Sequence, residues 1–243
     1  MKILLCENNL VGFFTAVYYS YYDHKDTERI TSDPSENSLL DAVIAVKADI
    51  AVAEKVRNGL LKKAGAEIYK EIIDAYLCSA SDKEQHIFMY IRLLLDRGKE
   101  VREMYGDDAV MTFNGMLKKV RYEAYRLSGF VRLQELDNGA YYGYFASDND
   151  ILELLMPEML PQYNMQKLIL HDVRRKKLIY YDGAVCHKLL APDGVDITLS
   201  ADEVAVRKLW KQYHTTASIE SRKNPRLQNN FLPKKYRFFM HEF

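Results

Sequence analysis

Cysteine is scarce in this chain. Cys6, Cys78 and Cys186 are odd in number and far apart, so neither a disulfide framework nor a paired-cysteine cradle for zinc or an iron–sulfur cluster is expected. They read as reduced, mostly buried thiols. No apolar run approaches the roughly 20 residues that a membrane span needs, and an acid, Glu7, interrupts the opening segment. A cytoplasmic protein without membrane contact is the expectation. Gly12, Gly59, Gly65, Gly98 and Gly106 stand singly, so the glycine-rich phosphate loops are missing, as are the HExxH helix and the nucleophile elbow. The six histidines are too scattered to suggest a metal cluster. These absences argue against a self-sufficient hydrolase or NTPase; no cofactor and no metal are expected. Net charge is also lacking, formally zero, which argues against a protein that coats nucleic acid through a global field.

What is present is an ordinary globular mixture, 48% hydrophobic and 28% charged, enough for one large domain or two small ones in 243 residues. The charges are unevenly distributed. Residues 1–116 hold 14 Lys and Arg against 19 Asp and Glu, whereas 117–243 hold 20 against 15. Such asymmetry hints at an anionic partner for the basic half, and solvated surface alone produces it too.

The hydrophobic periods predict an α+β protein: a mainly helical region over 1–116 and a basic α+β region over 117–243, two units or one continuous domain. Ile3 to Leu5 reads as a short buried strand. Helices follow, carrying Leu10 to Tyr21 closed by Asp23-His24, Ile50 to Leu61 capped by Asp49 and ended by Gly65, then Ile68 to Leu77. Ser81-Asp82-Lys83-Glu84 is a capping box opening a helix that ends at Gly98. A long helix over 107–127 completes this half.

Beyond Ser128 the texture changes. Asn138-Gly139 between aromatic runs predicts a hairpin, and Asp148 is placed to cap a short helix through Leu155. Strands over 167–171 and 177–181 flank the turn at Asp172 to Arg175, and Asp182-Gly183 permits a further turn into 184–190. An antiparallel sheet is expected here. Ser200 to Glu203 is a second capping box, opening a helix with Val204, Val206, Leu209, Trp210 and Tyr213. From Ile219 onward no clean period survives, but Tyr236, Phe238, Phe239, Met240 and Phe243 imply an irregular tail docked on the body.

Three stretches concentrate groups that could meet an anion. In the first, Lys118, Arg121, Tyr122, Tyr125 and Arg126 recur at helical spacing and run on to Arg132; guanidinium groups beside phenols hold phosphates and stack on bases. A solvated helix face with buried tyrosines has the same spacing. In the second, His171-Asp172 precedes Arg174-Arg175-Lys176-Lys177. A histidine oriented by a carboxylate serves as a general base, yet adjacent strand residues point to opposite faces, and a cationic turn is often plain surface. The third is the tail, with Arg222, Asn224 and Arg226, then Lys234, Lys235 and Arg237. It offers either contacts for single-stranded nucleic acid or aromatic anchors with solubilising cations. No catalytic residue can be assigned from these patterns.

Together these segments resemble, over nearly the whole length, a bacterial family associated with DNA metabolism, a domain of unknown function. The resemblance is carried by the opening strand with Gly12-Phe13, by Val120 to Arg132, by Leu168 to Asp172 with Arg174, and by Tyr181-Asp182-Gly183. Leu209-Trp210 with Tyr213, Arg222 to Gln228, Pro233, Tyr236 and Glu242 complete it. It implies a partner: members accompany a radical S-adenosylmethionine (SAM) protein thought to modify or repair DNA, and in other bacteria a similar domain is fused to a uracil-DNA glycosylase. The chain departs from the family at Glu158-Met159 and Gln162-Tyr163, where relatives carry His-Phe followed by Arg-Phe, so a function resting on that histidine or arginine does not carry over.

The leading expectation is thus a DNA-metabolism accessory protein whose basic half holds DNA, or the radical SAM partner, for chemistry performed elsewhere. Two alternatives stand beside it. One is an enzyme acting on a damaged base or nucleotide, with His171, Asp172 or Tyr181 near the reacting centre; the other is a protein-interaction module without DNA contact.

Overall fold

A computed structural model describes residues 1–36, 41–163, 166–192, 194 and 197–242; the aromatic Phe243 of the expected docked tail lies outside them. The chain divides into two units, Met1–Val120 and Arg121–Phe243. Among the described residues no helix is long and apolar enough to cross a membrane.

The first unit is built on a three-stranded parallel sheet in the order β2-β1-β3, with β1 at Lys2–Cys6, β2 at Arg29–Thr31 and β3 at Ala42–Val46. The sequence announces only the first of these strands. The helix α1 (Leu10–Tyr22) leaves β1 through a tight loop in which the Asn9 side chain accepts from the Gly12 amide at 2.7 Å. Gly12 is required there: a Cβ at this position would meet the Glu7 carbonyl oxygen at 2.7 Å. Asp49 caps α2 (Ile50–Ala64) through the Val52 amide, and Gly65, at φ 87°, ends it.

Next come α3 (Ala66–Tyr76), α4 (Lys83–Arg97) and the long α5 (Asp108–Ser128). The core of this unit includes Ile3, Leu4, Phe13, Ile72 and Ile91, and a flat stack of Tyr90 on Phe113 with ring centroids 3.7 Å apart. The expected capping box at the start of α4 is not formed. Asp82 is the N-cap and makes no side-chain cap bond. Glu84 is instead buried and accepts from the Ser32 hydroxyl at 3.1 Å, so tertiary burial took the carboxylate that local capping would have used.

The second unit carries a five-stranded sheet in the order β4-β5-β6-β7-β8. Its strands are β4 (Leu133–Glu135), β5 (Tyr141–Phe145), β6 (Leu168–Asp172), β7 (Lys177–Tyr181) and β8 (Cys186–Leu190). The Asn138-Gly139 turn joins β4 to β5 with Gly139 at φ 76°. The sheet is mixed, not purely antiparallel: β5 pairs parallel with β6, because α6 (Leu152–Tyr163) intervenes as a crossover. Packing across β5 depends on Gly143, where a Cβ would collide at 2.7 Å with both Val131 and Leu133.

Helix α7 (Ala201–Ala217) forms half of its expected capping box. Ser200 accepts from the Glu203 amide at 3.0 Å, while the Glu203 carboxylate turns to Arg207 and to the Glu135 amide. The tail contains a 3-10 turn at Glu220–Arg222 and the short helices α8 (Pro225–Phe231) and α9 (Lys234–Arg237). Asn224 starts α8 by accepting from the Leu227 amide at 3.0 Å, with Pro225 at its first turn. Tyr236 and Met240 are the buried anchors that hold the tail down.

Candidate nucleic-acid interface

The last turns of α5 present two faces. Glu123 and Ala124 point inward, whereas Arg121, Tyr122 and Tyr125 lie in solvent and Arg126 is half-buried. Glu123 is the hub of the unit. Its carboxylate accepts from the Asp148 and Asn149 amides at 2.8 and 2.9 Å, from the Asn149 side chain at 2.7 Å and from the Tyr236 hydroxyl at 3.0 Å. A buried carboxylate with four donors is satisfied. Because Asp148 is held this way, it does not cap α6, which begins four residues later at Leu152. Arg126 donates to the main-chain oxygens of Asn230 and Phe231 at 3.3 and 2.6 Å, which are carbonyls that the end of α8 leaves unpaired. Its guanidinium also lies 5.5 Å from the rings of Tyr122 and Phe130.

At the end of β6 the period of the strand separates His171 from Asp172. His171 shares a hydrogen bond with the Tyr142 hydroxyl through Nδ1 at 2.6 Å, and burial lowers its pKa. Burial likewise pushes Tyr142 up to about 12. Asp172 is fully buried on the opposite face, accepting from the Arg174 and Arg175 amides at 3.1 and 3.3 Å and from the Arg175 guanidinium at 2.8 Å. Arg175 also donates to the carbonyls of Ser147 and Asp148. It is therefore a strut for the loop after β5. Arg174 is 61% exposed and meets Asp148 at 3.5 Å, while Lys235 of the tail pairs with the same Asp148 carboxylate. Tyr181 donates to the Gly183 carbonyl at 2.8 Å.

The remaining cations divide in two. Arg132, next to the end of α5, bridges to Glu242 at 2.7 Å and to the carbonyls of Gly129 and Phe130. Burial alone would raise the Glu242 carboxyl; Arg132, together with its own backbone and Trp210 hydrogen bonds, holds it below the usual range. Arg237 closes the turn between α8 and α9 by donating to Asn229 and to the Leu232 carbonyl at 2.8 and 3.1 Å. By contrast, Arg222, Arg226 and Lys234 are exposed and, among the described residues, form no ion pair.

One of these cations, Arg222, lines a groove of about 670 Å³ between the end of α7 and the 220–231 segment, where Lys223 is paired with Glu220 at 2.5 Å. Arg222, Lys223, Asn224, Gln228, His214 and Phe231 line it, and Phe231 is 69% exposed. One turn earlier α7 carries Trp210 stacked on Tyr213 with centroids 5.7 Å apart, the rings 43% and 63% exposed. No residue of α7 is buried.

The structure thus brings the three basic stretches together in pairs. Arg126 of the first meets α8 of the third, and Arg174 and Arg175 of the second meet Lys235 of the third around Asp148. Arg126, Arg132 and Arg237 are engaged in holding the tail and Arg175 the loop after β5, so Arg222 at the groove, and Arg226 and Lys234 outside it, are the cations open to a ligand. Glu123 and Asp148, the acids that organise the surface, are not visible as such in the sequence, since their partners lie 25 to 113 residues away. The stacked Trp210–Tyr213 pair is visible there as a helical period, but only its exposure gives it a meaning beyond packing. Among the described residues no group of three or more His, Cys, Asp or Glu is placed to hold a metal ion.

Residues 81–242, two thirds of the chain, match a family model described as a domain of unknown function (DUF4130). No curated protein matches the chain.

Proposed function

The chain belongs to the DUF4130 family, a domain of unknown function, and we propose that it is an accessory protein of DNA metabolism that holds unpaired DNA for chemistry carried out by a partner enzyme. The observation that carries this reading is the groove beside α7. Exposed Phe231, and the exposed Trp210–Tyr213 stack one turn away, offer π-faces to bases, while Arg222 in the groove and the exposed Arg226 and Lys234 of the same tail offer charge to phosphates. Flexible, unstacked strands can use both at once; a stiff duplex presents phosphates but hides its base faces. Single strands are therefore the favoured ligand.

The test is an oligonucleotide titration at several salt concentrations. Single-stranded DNA binds more tightly than duplex, with affinity falling as salt rises because phosphate contacts release counterions. Failure of both forms to bind at low ionic strength, where counterion release is strongest, removes direct DNA contact from the reading.

A second reading rests on the apolar stripe of α7. Val206, Leu209, Trp210 and Tyr213 recur at helical spacing and are all exposed, which is the surface of a helix that docks on another protein. By the family resemblance the partner is the radical SAM protein. Co-purification with that enzyme, abolished by Leu209→Lys and untouched by Arg222→Ala, distinguishes this from DNA binding. The catalytic alternative has less behind it: His171 is buried against Tyr142, Asp172 is consumed by Arg175, and Tyr181 is tied to its own turn.

A further inference from the structure

Two pockets of the N-terminal unit adjoin through a shared tyrosine. The first, about 350 Å³, is an aromatic slot between α1, α2 and α4. Tyr18, Tyr21 and Tyr22 wall it with Val56 and Leu95, and Gly59 leaves its α2 side open, since a Cβ there would meet nothing within 4 Å. Tyr18 and Tyr22 are already stacked at 4.4 Å, and the Lys55 ammonium sits 5.3 Å over the Tyr18 ring. The second pocket, about 370 Å³, shares Tyr21 and has a mixed polar and aromatic lining. Lys25 and Arg92 supply charge there, beside Ser20, Thr27 and Phe88.

No carboxylate lines either pocket. Asp96, the acid whose charge reaches Tyr21, is paired with Arg97 at 3.2 Å. Lys25, Lys55 and Arg92 form no ion pair among the described residues. Ser20 and Thr27 donate their hydroxyl protons to the carbonyls of Val17 and His24, which leaves their lone pairs to accept from a ligand hydroxyl. A stacking slot adjoining a pocket that holds two cations without an ion pair and two hydroxyl acceptors matches the parts of one kind of molecule: a planar base, an anionic phosphate and the sugar that joins them. Each volume is also in the range of small-molecule sites, roughly 300 to 1,000 Å³.

We propose that these adjoining pockets form a mononucleotide site, with the base stacked among Tyr18, Tyr21 and Tyr22 and the phosphate between Lys25 and Arg92. Most of its residues precede the segment matched to the family, and it is separate from the C-terminal groove. The inference therefore stands apart from the DNA-binding reading: mononucleotide binding without oligonucleotide binding supports the one and overturns the other.

The experiment is calorimetric titration of the full chain with the common nucleoside 5′-monophosphates, with adenosine and inorganic phosphate as fragments. At least one monophosphate binds with a Kd at or below about 1 mM, and both fragments bind at least about tenfold more weakly. Gly59→Leu fills the slot, and Arg92→Gln removes the phosphate charge. Each weakens binding by about tenfold or more, and only Arg92→Gln also flattens the salt dependence. Both variants keep the fold, because leucine is the better helix former within α2 and glutamine keeps the helix propensity of α4; a thermal melt checks this. Absence of binding by every monophosphate at several times that concentration overturns the proposal. So does free phosphate binding as tightly as the nucleotide, or full affinity in either variant.

Discussion

Arg126 reaches from the end of α5 to the carbonyl oxygen of Phe231 at 2.6 Å, and so fixes the far end of α8, the helix that forms one wall of the basic groove. An arginine that looks like a phosphate ligand in the sequence is thereby a positioning residue for the aromatic side chain beside it. Arg126→Ala should release the last turn of α8 at a cost of about 1 kcal/mol. Hydrogen exchange over 225–231 should accelerate while exchange in β5 and β6 stays unchanged.

The exposed tail cations should behave as additive phosphate contacts. Arg222→Ala and Arg226→Ala are each expected to reduce the slope of log affinity against log salt for single-stranded DNA by about one unit or slightly less. Arg175→Ala should instead lower stability, because it leaves Asp172 buried without its charge partner. A titration series read against a urea melt separates the two behaviours.

The chain has a single tryptophan, exposed and stacked on Tyr213, which makes its emission a direct report on the aromatic platform. Binding of a short single-stranded oligonucleotide should quench Trp210 fluorescence, and Tyr213→Ala should weaken that binding by about 1 kcal/mol or more. Unchanged emission at saturation would move the bases away from α7.

Glu123 gathers four donors from two distant segments. Glu123→Gln places an amide among them and is expected to cost about 3 kcal/mol. The midpoint of urea unfolding should fall with the slope preserved.

Acid should weaken the fold in two stages. His171 and His241 have folded pKa values lowered by burial, so the unfolded chain takes protons that the native one refuses. Stability is then complete above the ordinary value near 6.5 and declines as pH drops below it. The lowered Glu242 carboxyl acts in the same direction at lower pH: its pairing with Arg132 contributes fully above the ordinary 4.5 and is lost as pH falls through the folded value. His171→Phe should flatten the decline between pH 7 and 5, as followed by thermal melts.

Local chemistry in the sequence locates much of this fold. Asn138-Gly139 turns where a hairpin demands positive φ, Asp49 and Gly65 bound α2, and Ser200 opens α7. Arg29-Ile30-Thr31 is too short to show an alternation, and β2 was invisible for that reason. Two prolines, Pro157 and Pro161, sit inside α6, which masked the crossover that makes β5 and β6 parallel. The site is harder to read because it depends on partners remote in sequence. Arginine types were visible, but whether a guanidinium faces solvent or a carbonyl 105 residues away, as Arg126 does, follows only from packing.

The clasp between Arg132 and Glu242 spans 110 residues, and that between Glu123 and Tyr236 spans 113. Closing such long loops costs entropy that no nearby contact offsets early. During synthesis, the β5–α6 loop must therefore wait with its organising carboxylate incompletely satisfied until the 233–242 segment emerges. The segment that directly follows the groove's 220–231 wall is thus the clasp that completes the unit's assembly.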